Sequence, residues 1–142
     1  MTWLPKRCVV VPVDFSDDSF AAVDVGMQMV GAPAQLRIVH VLQDVAPLEA
    51  GEVWGVPDPQ TRIQHVTKAL LERLGEPRYT GVQIEVVLGE PAHGITNFAA
   101  EVKAELIVIP CHGRTGLTRL LIGSVAERVV RLAHCPVLVL RK

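Results

Sequence analysis

One stretch, PCHGRTGLTRLLIGSVAERV at residues 110–129, gathers glycines, cations and a helix start within twenty positions. Gly113, Gly116 and Gly123 let backbone approach a ligand closely or take positive φ. Arg114 and Arg119 add positive charge. Ser124 opens a helix, and the N–H groups of its first turn point out of that end. Together these features make an anion site. A structural reading competes with it. Ser124 and Glu127 fit the capping box S-x-x-E, which would satisfy the same N–H groups internally. The glycines would then only shape a loop, and on the residues alone both readings stay open. The stretch fits neither GxxxxGK[ST] nor GxGxxG, so neither standard nucleotide template applies.

A second group, Asp14 with Asp17 and Asp18, has the opposite chemistry. It would repel a phosphate. A carboxylate at Asp14 can accept hydrogen bonds from sugar hydroxyls or hold a metal; equally, it can order a turn. Asp17 and Asp18 read as helix-start residues, placed where the dipole favours acids. His40 reads as a satisfied, partly buried histidine, and His93 as a residue just inside a helix start. Trp54 either covers a pocket or anchors its loop. Cys111 and His112 are chain neighbours that tend to point apart, so they make a poor catalytic pair. No serine sits in GxSxG and no cluster has metal-site spacing, so no catalytic residue is assigned.

These groups need elements to position them. CVVVPV (8–13) is a nearly continuous apolar run, as in a strand covered on both faces. Ser16 then caps a helix that Gly31 and Pro33 stop. LRIVHV (36–41) is a second strand, followed by a long loop over 43–57. Asp58 with Pro59 reads as an N-cap and first helical residue, and Ile63, Val66, Leu70 and Leu74 as the buried stripe of that helix. VQIEVVL (82–88) partly alternates, as at a sheet edge, and ELIVI (105–109) and PVLVL (136–140) complete five strands. Strict alternation with four helices predicts a parallel sheet with helices on both faces. Ligands in such sheets bind beyond the carboxyl ends of the strands, where the order reverses.

Composition sets limits. At 142 residues the chain is expected to be one domain, 1–142. A net charge of −1 argues against a general nucleic-acid binder. No apolar run is long enough to span a membrane. MTWLPKRC lacks an apolar signal segment, and three cysteines without a CxxC spacing read as reduced thiols, so a cytoplasmic location is expected.

VVVPVDFSDDS, the HV at 40–41 and above all HGRTGLTRLLIGSVAERVVRLAHCPVLVL resemble the universal stress protein family, over residues 8–140. The ATP-binding branch of that family carries G-x2-G-x9-G-[ST]. Gly113, the nine residues 114–122, Gly123 and Ser124 match it; Pro110 stands at the first glycine. Proline has no N–H and a fixed φ, which removes a backbone donor there. The resemblance implies an adenine-nucleotide alpha-hydrolase-like fold with strand order 3-2-1-4-5. It implies that Asp14 contacts the ribose or a phosphate-bound Mg2+, and that the Val41 backbone meets the adenine edge. Gly113, Gly123, Ser124 and Val125 would line the ribose and phosphates, with Arg114 beside them. It further implies a homodimer formed through the last strand, Val137 to Leu140. An exposed apolar edge of that kind invites pairing.

The expected function is thus an ATP-binding stress-response and signalling module with little or no turnover, since no general base is positioned by sequence. The alternative is a nucleotide-free member acting through protein contacts, for which Pro110 is the best support. A receiver-like switch would need an acceptor Asp after the third strand, where Leu88-Gly89-Glu90 stands instead.

Overall fold

The computed structural model describes residues 2–43, 58–111 and 122–141. Along these run β1 (Val9–Pro12), α1 (Asp17–Met29), β2 (Leu36–Leu42), α2 (Pro59–Arg73), β3 (Gln83–Leu88), α3 (Pro91–Glu101), β4 (Leu106–Pro110), α4 (Ser124–Leu132) and β5 (Val137–Leu140). The strands form one sheet in the order β3-β2-β1-β4-β5, and every pair is parallel. That is the expected order. Cys8 and Val13 fall just outside β1, an ordinary boundary difference.

The unbroken apolar runs of β1 and β4 are explained by cover on both faces. Val9, Val11 and Val108 pack in one cluster with Phe20 and Val23 of α1, Leu70 of α2 and Leu74 just past its end. Val10, Ile107 and Ile109 pack in the other with Ile95 and Phe98 of α3 and Ala126 and Val129 of α4. Each fully buried Val, Leu or Ile contributes about 1.5–3 kcal/mol, so these two layers supply the main drive to fold. Ile63 and Val66 are only half-buried, so the stripe predicted for α2 is buried at its C-terminal half alone. β3 and β5 are the edges. On β3, Gln83 and Glu85 are exposed while Val86 is buried, the alternation of a half-covered strand. All four residues of β5 are half-buried.

Parallel topology starts all four described helices on the same side, at the carboxyl edge of the sheet. The β1–β4 ladder ends early at that edge. Its register pairs Val9 with Leu106 and Val10 with Ile107 only. β1–β2 and β4–β5 each run for four pairs.

Candidate functional site

Prolines explain the early end. In β4, Ile107 N–H donates to the Pro136 carbonyl and Cys111 N–H to the Leu140 carbonyl. Alternate residues face alternate neighbours, so the nitrogen of Pro110 faces β1. In β1, Val13 N–H donates to Val39 of β2, so the nitrogen of Pro12 faces β4. The next two rungs between β1 and β4 would need N–H groups on Pro12 and Pro110. Neither exists, and the strands part. Pro110 therefore removes a donor that faces the crevice between β1 and β4.

A cavity of about 470 Å³ fills this crevice. Pro12, Asp14, His40, Val41, Pro110, Gly123, Ser124 and Val125 all line it. It brings together five of the seven expected site residues: Asp14, Val41, Gly123, Ser124 and Val125. The other two, Gly113 and Arg114, lie outside the described residues, as do Gly116, Arg119, His112 and Trp54.

On the β1 side the wall is built by hydrogen bonds. The Asp14 carboxylate accepts the Ser16 N–H at 3.0 Å and the Ser16 hydroxyl. The Asp14 N–H donates to Ser19 Oγ at 3.3 Å, and Ser19 donates to the Ser16 carbonyl at 2.8 Å. Between them Phe15 adopts φ +66°, a left-handed conformation that bulky residues rarely take. Its ring anchors the turn, edge-on to Phe20 at 6.1 Å and to His40 at 5.2 Å. His40 Nδ1 lies 2.7 Å from the Val13 carbonyl. A carbonyl only accepts, so Nδ1 carries the proton, and a neutral His40 keeps Nε2 as an acceptor. This histidine is satisfied and half-buried, as the sequence suggested, and it also lines the cavity.

Val41 is placed by a glycine. A Cβ on Gly94 of α3 would lie 2.7 and 2.8 Å from the two Cγ atoms of Val41. Only glycine lets α3 come this close to the end of β2.

On the β4 side the wall is a helix start. The N-cap of α4 is Gly123, with no side-chain cap. The capping box that the S-x-x-E spacing allows does not form: Ser124 is the first helical residue, and Glu127 accepts from Arg131 at 2.6 Å. Gly123 N–H donates to the Cys111 carbonyl at 2.6 Å, and Glu127 N–H to the Gly123 carbonyl at 2.9 Å. The N–H groups of Ser124, Val125 and Ala126 have no acceptor within the helix. All three residues line the cavity. An electropositive helix end thus stands across the crevice from a carboxylate.

His93 is elsewhere. Its Nδ1 lies 2.7 Å from Glu90, which also accepts from Arg128 of α4. Among the described residues no group of three or more His, Cys, Asp or Glu could hold a metal ion. No described helix is long and apolar enough to cross a membrane. Sequence reasoning missed Arg62 as a lining residue, although a cation in the first turn of α2, against the helix dipole, was the available signal.

The crevice lies at a reversal of strand order between an acid and a helix start, an arrangement suited to a ligand with sugar hydroxyls and an anionic group. Comparison with known proteins gives the class. The model of the Universal stress protein family matches residues 6–141, and the chain belongs to that family. It is 36% identical over 140 residues to Universal stress protein MJ0531 of Methanocaldococcus jannaschii, covering 94% of this chain and 81% of the relative. A universal stress protein solved in complex with cAMP superposes with a TM-score of 0.66 at 28% identity, covering 96% of this chain and 98% of that one. The universal stress protein of Archaeoglobus fulgidus in complex with dAMP gives a TM-score of 0.59 at 25% identity, covering 96% and 98%.

Proposed function

We propose that this chain is an adenine-nucleotide binding module that takes ATP, with little or no turnover, and acts by presenting a nucleotide-dependent surface. The observation that carries this reading is the uncapped start of α4, opening into the same cavity as Asp14 and Val41. The phosphates take the N–H groups of Ser124, Val125 and Ala126, aided by Gly113 and Arg114. The ribose hydroxyls donate to Asp14, and the base meets the Val41 backbone. Mg2+ usually binds through one or two carboxylates plus the nucleotide's own phosphates, so Asp14 suits such an ion. The cAMP and dAMP complexes of similar proteins favour an adenine base. The chain would work in the cytoplasm, as a homodimer joined along Val137–Leu140 of β5.

The test is to denature the purified protein, identify any released nucleotide by chromatography and mass, and titrate the stripped protein with ATP–Mg2+. Recovered or saturably bound adenine nucleotide is expected. No released nucleotide together with no saturable binding would overturn the reading and leave the second one, a nucleotide-free member acting through protein contacts. Pro110 favours that alternative, because it removes a donor from the crevice. If Pro110 is the cause, Pro110→Gly restores binding.

A further inference from the structure

We infer that Arg62 is a base-binding residue of this site, its planar guanidinium closing over the face of the nucleotide's base. The inference rests on the nucleotide reading above and extends it to a residue of α2.

The argument starts from where the site's two ends lie. Neighbouring strands are about 4.8 Å apart, so the ends of β2 and β4, with β1 between them, are about 10 Å apart. A nucleotide whose phosphates sit on the α4 N–H groups and whose ribose sits at Asp14 sends its base across β1 to the end of β2. That is where Arg62 stands. It lines the cavity beside Val41, Leu42 and Gln43.

Its guanidinium is held there. An Nη donates to the Gln43 carbonyl at 2.9 Å, just past the end of β2. This bond fixes the fork yet leaves the charge unneutralised, since a carbonyl is neutral. Among the described residues Arg62 has no carboxylate partner. Its position does not serve the helix either, because a cation in a first turn opposes the dipole. A half-buried, tethered guanidinium on an apolar wall is suited to stack on an aromatic face. A purine supplies that face.

The experiment separates base from phosphate and plane from charge. Wild type, Arg62→Ala and Arg62→Lys are each titrated with ATP and with inorganic tripolyphosphate, which lacks the base. Thermal unfolding confirms that each variant is folded. Both variants should lose about tenfold in ATP affinity and keep tripolyphosphate affinity within about twofold. Three results would overturn the inference: equal losses for both ligands, which would put Arg62 on the phosphates; ATP binding by Arg62→Lys at the wild-type level, which would make charge sufficient; or no change in either variant. A wild type that binds tripolyphosphate but not ATP overturns the role of Arg62 together with the nucleotide reading.

Discussion

Four described helices start at one edge of the sheet, and one of them differs. Ser16 caps α1 by accepting the Ser19 N–H at 3.1 Å. Asp58 caps α2 through Thr61 N–H at 2.7 Å. Glu90 caps α3 through Ala92 and His93 N–H at 3.2 and 3.0 Å. Only α4 begins on a residue without a side chain. A cap is worth about 1 kcal/mol to a helix. Three helices satisfy first-turn donors with the side chain of their own N-cap residue, and the fourth has no such cap, which is what the proposed anion site requires.

The largest effect should come from removing that difference. Gly123→Asp gives α4 the kind of cap its neighbours have. The new carboxylate occupies the helix donors and repels phosphate, so ATP affinity should fall by about a hundredfold or more. Thermal stability should hold or rise by a few tenths of a kcal/mol. Calorimetric titration and a thermal melt of the same sample check both halves. Undiminished binding would mean that the helix start is not the phosphate site.

Asp14→Asn tests the facing wall. The amide keeps an oxygen for the Ser16 N–H, so the turn should survive. Hydrogen bonds to a charged acceptor contribute about 1.5–3 kcal/mol, so ATP affinity should fall about tenfold to a hundredfold. With Mg2+ left out of both titrations, tripolyphosphate, which has no ribose, should bind as before. Equal losses for the two ligands would place Asp14 in structure rather than in recognition.

The two walls were not equally legible. The Asp14 turn is written in local residue types: an acid after an apolar run, then Ser16 at a cap position. The α4 start stayed ambiguous in the sequence because Ser124 and Glu127 satisfy the capping-box spacing rule. Which residue becomes the N-cap depends on how the chain enters the helix, and here Gly123 is tied back to Cys111 across the loop. No local pattern encodes that bond. The alternation of apolar runs predicts the parallel sheet, whereas the order of its strands came from the family resemblance. Arg62 and Gly94 reach the site from helices distant in sequence, so only the packed structure brings them to it.

Gly94 is the next test. Gly94→Ala forces a methyl to within 3 Å of both Val41 Cγ atoms, and overpacking of this kind costs about 1–3 kcal/mol. The end of β2 should shift, lowering both stability and ATP affinity severalfold. Val41→Ala removes both clashing carbons and keeps the backbone proposed to meet the base. The double variant should therefore recover affinity relative to Gly94→Ala. Failure of that rescue would separate Gly94 from the site and leave it a packing glycine.

The smallest effect lies where a capped helix meets the uncapped one. Glu90 caps α3 and also accepts from Arg128 of α4, so one carboxylate joins the two helices. The His93 N–H bond, with the His93 ring, Ala92 N–H and Arg128 adding to it, lowers its carboxyl from 4.5 to about 2. A carboxyl depressed on folding stabilises the protein above the unfolded value, and this contribution fades as pH falls from 4.5 towards about 2. The side chain is 42% exposed, so solvent screens the pair and the contribution should stay near 1 kcal/mol or below. Glu90→Gln should therefore melt a few degrees lower than wild type near neutral pH, with the gap narrowing through this acid window. A gap that stays constant with pH would show that the amide loses shape rather than charge. Because Arg128 lies on the helix proposed to carry the anion site, the same variant should also bind ATP about twofold more weakly. If affinity holds while the acid dependence disappears, Glu90 stabilises the contact between α3 and α4 without setting the position of the α4 start.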